Sequence, residues 1–221
     1  MIVVVQCAAT KRPNAGYLLR QDGQKVLFVA DPMGVASDTG YMYAHPDDVS
    51  DTGDTWRERL VQYNAEPGPN PYGLLPAIEL YENGSYRRLA EEFGVAKTYI
   101  LSAGWGLISA SFLTPSYDIT FNTQAKRQAP WKFRTRRSAF NDLCQLPVGT
   151  TEPVLFFGGK DYVPLFRKLT DGIASKRTVF FNASQPPDAP GCTLQRFPTT
   201  TRTNWHYQCL NAFLEGRVAG A

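Results

Sequence analysis

The stretch TYILSAGWGLISASFLTPSYDITF, residues 98–121, decides how the rest of the chain is read. It opens on Thr98-Tyr99-Ile100-Leu101, a β-branched, aromatic and aliphatic run of the kind that forms a buried strand. Ser102-Ala103-Gly104-Trp105-Gly106 follows, and its two glycines permit tight turns and the close approach of another group. A polar-aromatic segment then ends in Pro115-Ser116-Tyr117-Asp118. Open α/β sheets bind ligands beyond the carboxyl ends of their strands, so a strand emptying into such a loop marks a candidate site. The same residues also suit an ordinary strand-loop connection with Trp105 as a core anchor.

Three other apolar runs read the same way: 2–5, 153–157 and 177–181. Each empties into a polar or Gly-rich loop, at 6–13, at Gly158-Gly159-Lys160-Asp161-Tyr162, and at Asn182-Ala183-Ser184 continuing to Gly191. Helices are predicted at 56–64, 73–81, 86–93, 137–146, 163–169 and from about 205 to 215. Asp54-Thr55, Ser85 and either Thr203 or Asn204 serve as their candidate caps. Strands alternating with helices predict an α/β fold, a three-layer α/β/α sandwich with a mainly parallel four-stranded sheet. Residues 1–221 then form one domain, with an added N-terminal hairpin at 17–29 turning at Asp22-Gly23.

Composition narrows the class. Hydrophobic residues make up 43% of the chain, which excludes a disordered tail. No apolar run approaches the roughly 20 residues of a membrane span, so no membrane partner is expected. The start, Met1-Ile2-Val3-Val4-Val5, lacks the basic region of a signal peptide and reads as a first strand. Four scattered cysteines without CxxC or Cys/His spacing predict neither a metal nor disulfides, and a cytoplasmic location. His45-Pro46-Asp47-Asp48 looks like the start of a zinc deacetylase motif, but no companion ligand follows and Asp and Pro favour turns. No cofactor and no obligate protein partner are expected.

The net charge of +3 says little, but its distribution says more. Residues 119–141 hold six bases and no acid, interleaved with Trp131 and Phe133. Bases can neutralise phosphates while aromatic faces stack on exposed nucleobases, so this segment points to nucleic acid.

The start Ile2-Val3-Val4-Val5-Gln6-Cys7 with Lys11, and the block from Ile100 through Gly104-Trp105-Gly106 to Tyr117-Asp118, resemble an uncharacterised bacterial family. That family is similar to the bacterial peroxide-stress proteins and to the glycosylase-like domain of archaeosine synthase and archaeal tRNA-guanine transglycosylase. The resemblance implies a uracil-DNA-glycosylase-like fold and the handling of a nucleobase in nucleic acid. The water-activating and His-Pro-Ser motifs of uracil-DNA glycosylases are missing, so their catalytic residues do not carry over.

The resulting expectation is a DNA glycosylase that removes a modified base, including one in viral DNA, by hydrolysis. Its partner is double-stranded DNA with a flipped base, or single-stranded DNA. Asp118 is the first candidate to stabilise the cationic sugar and Asp161 the second, with Asn182 and His206 as donors to the departing base. Ser102, Trp105, Gly106, Tyr117 and Tyr162 are the candidate base-binding residues. Lys11, Arg12, Lys126, Arg127, Lys132, Arg134, Arg136 and Lys160 are candidate backbone contacts, and Lys160 is also a candidate lyase nucleophile. A non-catalytic DNA-binding stress protein and an enzyme acting on free nucleotides or nucleosides are the alternatives.

Overall fold

Val3, Val4 and Val5 have no solvent exposure, and the strand they form is the middle strand of a seven-stranded sheet. The computed structural model describes residues 1–36, 40–66 and 68–219. Its strands are β1 (Ile2–Gln6), β2 (Leu18–Leu19), β3 (Lys25–Val29), β4 (Met42–Ala44), β5 (Leu75–Pro76), β6 (Thr98–Ser102), β7 (Gly106–Ser109), β8 (Leu113–Thr114), β9 (Tyr117–Asp118), β10 (Leu143–Cys144), β11 (Val154–Phe157), β12 (Arg177–Phe181) and β13 (Thr193–Arg196). Its helices are α1 (Trp56–Ala65), α2 (Gly84–Glu92), α3 (Ala125–Gln128), α4 (Val163–Thr170) and α5 (Trp205–Leu214).

The main sheet runs β10-β7-β6-β1-β11-β12-β13. Strands β6, β1, β11, β12 and β13 are mutually parallel, with Val3 opposite both Thr98 and Leu155. β7 folds back antiparallel on β6, and β10 pairs with β7. Side chains alternate across a strand, so Phe156 and Phe157 point to opposite faces. Phe156 stacks on Phe166 of α4 at 4.6 Å, and Phe157 meets Phe213 of α5 at 5.4 Å. Helices therefore cover both faces, as a parallel sheet requires.

The four predicted strands are the contiguous centre β6-β1-β11-β12, but the sheet has seven strands and not four. The predicted hairpin forms as β2 and β3, turning at Gly23 with φ 83°. It belongs to a second small sheet in which β3 also pairs with β4 and β9. The helix predicted at 56–64 is α1, closed by a capping box in which the Thr55 hydroxyl accepts from Glu58 N and the Glu58 carboxylate from Thr55 N. Asn83, not Ser85, caps α2.

Two predicted helices are absent. Residues 73–81 instead hold β5, which pairs with β8, and a turn; a helix there would carry Pro76 in its interior. Residues 137–146 instead leave a turn and carry β10, with Leu143 N bonded to Trp105 O and Gln145 N to Leu107 O, because this segment supplies the sheet's edge strand.

The turn between β6 and β7 depends on Gly106. Its φ is 92°, and an added Cβ would lie 2.3 Å from Leu143 O. Gly106→Ala is expected to lose stability by about 1–3 kcal/mol from backbone strain alone, with the clash adding to it. Denaturant unfolding at constant m-value measures this, and an unchanged midpoint would contradict it.

Candidate active site

A buried turn has to find a partner for each of its peptide groups. Residues 102–106 are buried, and Ser102 Oγ accepts from Gly104 N at 3.2 Å and Trp105 N at 3.1 Å. Two arginines take the carbonyls. Arg134 donates to Ala103 O at 2.7 Å, and Arg57 donates to Gly104 O at 3.1 Å and Trp105 O at 3.3 Å. Asp142 holds Arg134 through both oxygens at 2.8 and 2.7 Å, and Asp47 holds Arg57 at 2.5 Å.

The turn orders the groups beside it. Ser102 donates its hydroxyl proton to Tyr117 OH at 2.9 Å, and Tyr117 OH meets Tyr81 OH at 2.9 Å. Cys7, just past β1, accepts from Ala103 N at 3.4 Å and meets Tyr162 OH at 3.3 Å. Burial pushes the Tyr81, Tyr117 and Tyr162 hydroxyls well above the ordinary tyrosine range, and Cys7 adds to the effect. All three stay neutral phenols at neutral pH. The Lys11 ammonium sits 4.1 Å from the centre of the Tyr117 ring, a cation–π contact.

Two clefts open at the carboxyl edge of the central strands. The first, about 550 Å³, is lined by Lys11, Tyr17, Tyr41, Tyr117, Asp118 and Lys132 among others. The second, about 560 Å³, includes Gln6, Cys7, Asp161, Tyr162, Arg202 and His206. Ala9, Thr10, Thr120 and Asn122 line both, so the two adjoin. Gln6 fixes the floor between β1 and β11 by accepting from Gly159 N at 2.6 Å. Asp118 pairs with Lys132 at 2.5 Å in the first cleft, with each side chain about one-third exposed. A third cavity of about 380 Å³ lies beside Phe121, Phe133, Lys126 and Arg136.

Asp118, Tyr117 and Lys11 therefore come together in one cleft, and Asp161, Tyr162 and His206 in the next. Arg12 stands exposed at the rim of the first. Trp105 is placed otherwise than its base-binding assignment requires. It has no solvent exposure, sits edge-on to Phe28 and Tyr117, and lines neither cleft, so it is the core anchor. Ser102 and Gly106 are likewise buried and support the site from below. The accessible aromatic surface belongs to Tyr17 and Tyr41, whose rings lie 5.3 Å apart. Asn182 donates to Thr201 O at 3.1 Å and lies outside both clefts.

The basic segment divides in the same way. Arg134 is 4% exposed and spent on Ala103 and Asp142, so it is no phosphate contact. Lys132 is paired with Asp118, and Arg136 lies 3.5 Å from Asp161. Lys126, Arg127 and Arg137 are exposed and have no ion pair among the described residues. Lys160 is exposed and lines neither cleft. His45 packs on Phe140 and Asp47 is held by Arg57; among the described residues, no three His, Cys, Asp or Glu side chains gather to hold a metal. No described helix is long and apolar enough to cross a membrane.

Sequence reasoning missed Tyr17, Tyr41, Tyr81, Thr120 and Arg202, and the closing role of Arg57. Only the density of tyrosines and the strand-end position of Cys7 hinted at the buried hydroxyl network. No protein-family model, curated protein or solved structure matches the chain.

Two outcomes are expected. Arg134→Ala leaves Asp142, whose side chain is 1% exposed, with Lys168 at 3.6 Å as its one remaining ion-pair partner among the described residues, and should cost about 3–5 kcal/mol in chemical unfolding. A cost below 1 kcal/mol would show that the turn does not need this arginine. Burial pulls the His206 imidazole from the usual 6.5 down to about 4. The unfolded chain then takes up a proton below pH 6.5 that the folded chain refuses, so stability falls as pH drops from 6.5 to 4. The loss approaches about 3 kcal/mol. His206→Gln should remove that part of the pH profile, and an identical profile in the variant would contradict it.

Proposed function

We propose that this chain is a DNA glycosylase that takes a modified base out of the stack and hydrolyses its N-glycosidic bond, leaving an abasic site. The finer fold assignment, uracil-DNA-glycosylase-like, belongs to the same proposal. One observation carries it: Asp118, the accessible rings of Tyr17 and Tyr41 and the neutral phenol of Tyr117 share one cleft at the carboxyl edge of the parallel sheet. The lip of that cleft is α3, which also carries the exposed Lys126 and Arg127. A modified base of viral DNA is one substrate such a cleft would suit.

The chemistry follows from the charges. Exposed bases on α3 and Arg12 at the rim meet phosphates, which holds the strand while one nucleotide turns out. The extruded base stacks on Tyr17 and Tyr41, above the neutral Tyr117. As the glycosidic bond breaks, the sugar becomes cationic, and the Asp118 carboxylate lies in the same cleft to stabilise it and to orient water. Lys132 holds that carboxylate in place. In the adjoining cleft, Asp161 and His206 would meet the flanking nucleotide and not the reacting bond.

The test is incubation of purified protein with DNAs carrying different modified bases, read by mass spectrometry for free base. Asp118→Asn keeps the side chain's shape and loses a pair that is partly exposed, so folding should change by no more than about 1 kcal/mol. Base release should fall by about 10²–10³, by analogy with the loss of one transition-state donor, while DNA binding survives. Salt-dependent DNA binding with no base released from any substrate would favour a non-catalytic DNA-binding protein. Near wild-type release by Asp118→Asn would remove Asp118 from the chemistry.

A further inference from the structure

A lysine beside a catalytic carboxylate is usually an ion-pair partner, and in this cleft that position is already filled. Lys132 pairs with Asp118 at 2.5 Å, which leaves the second amine, Lys11, without a carboxylate within ion-pair distance among the described residues. Its ammonium lies over the Tyr117 ring, on a segment fixed by the Lys11–Tyr81 bridge and by the Arg12 N to Leu80 O hydrogen bond. That ring is itself immobilised through Ser102 and Tyr81. Lys11 is thus a held amine in the cleft that contains Asp118.

We infer that Lys11 is a Schiff-base nucleophile that gives this chain an abasic-site lyase activity. The inference rests on the glycosylase proposal only for the source of the aldehyde. Once the base has left, the opened deoxyribose presents an aldehyde at C1′. The Lys11 Nζ lone pair adds to that carbon, the oxygen departs as water after protonation, and a protonated imine remains. Asp118 takes a proton from C2′, the electron pair moves to form the C2′=C3′ bond, and the 3′ phosphate leaves with the electrons of the C3′–O bond. Water then hydrolyses the imine, which frees Lys11 and an unsaturated aldehyde on the cleaved strand. The sequence needs no oxidant or reductant.

The environment of Lys11 supports attack by a neutral amine. Burial lowers its pKa below the ordinary lysine range, against the opposing pull of Cys7 and Asp118 and with the help of Lys132. Tyr117 and Tyr81, the other ionisable groups packed beside it, are held neutral. The competing amines are placed less well. The Met1 amine pairs with Glu152 at the opposite end of β1, and Lys160 stands exposed outside both clefts.

The experiment supplies a duplex with a preformed abasic site and adds borohydride, which reduces an imine to a stable amine. The full-length protein should become covalently joined to the strand, and mass spectrometry of its peptides should place the adduct on Lys11. Lys11→Arg, which keeps the positive charge over Tyr117, should lose the adduct and the strand cleavage. Because the adduct is mapped in the wild-type protein, the result does not depend on how well the variant folds. Failure to form an adduct, or its mapping to Lys132, Lys160 or the N-terminal amine, would overturn the assignment. Base release from modified DNA is measured separately. An adduct on Lys11 without base release would sink the glycosylase proposal alone, and base release without an adduct would sink the lysine alone.

Discussion

A chain reversal buried in the middle of a protein is tolerable only if its carbonyls are answered, and here two arginines answer them. Arg134 and Arg57 reach the 102–106 turn from segments distant in sequence, and each brings its own carboxylate partner. Both guanidiniums are buried, so neither ion pair is a source of surplus stability. What they provide is a fixed end to β6. Without them the turn would have to open to water, and the floor of the site would open with it.

From that fixed turn the site is assembled by short, directional contacts. Ser102 closes the two amides of the turn and still has a proton for Tyr117, which in turn meets Tyr81 and supports Lys11. Cys7 and Tyr162 tie β1 to the loop after β11 on the other side. The hydroxyls are neutral because they are buried, and being neutral they can donate. The charged groups, Asp118, Lys132 and Arg12, stand where the clefts reach solvent. A buried, neutral floor under a charged rim suits the proposed reaction, in which charge develops on the sugar.

The centre of the sheet was legible because β1, β6, β11 and β12 are apolar on both faces, and a run such as Val3-Val4-Val5 has few other uses. The edges were not. β10 is two residues long and is made a strand by Trp105 and Leu107, with no periodicity of its own, so 137–146 passed for a helix. The carboxyl-edge loops were legible as a candidate site from their strand-end position, and Asp118, Tyr117 and Tyr162 line clefts at that edge. Trp105 was ambiguous, since a tryptophan between glycines suits either a base stack or a core, and only burial separates the two. Arg134 looked like its basic neighbours because its partners, Ala103 and Asp142, are set by tertiary structure. Lys11 resembled a solvated phosphate contact for the same reason: what desolvates it arrives with Tyr117, far along the chain.

The proposed glycosylase requires the Asp118 cleft to recognise a deoxyribose acquiring positive charge. A duplex bearing a pyrrolidine in place of one deoxyribose, with its ring nitrogen protonated at C1′, imitates that sugar without an aldehyde for Lys11 to trap. Titration of this duplex against the purified protein, compared with the same duplex bearing a neutral tetrahydrofuran at that position, is the direct measurement. The cationic duplex should bind more tightly, and Asp118→Asn should lose that preference. Equal affinity for the two, or a preference that survives Asp118→Asn, would contradict it.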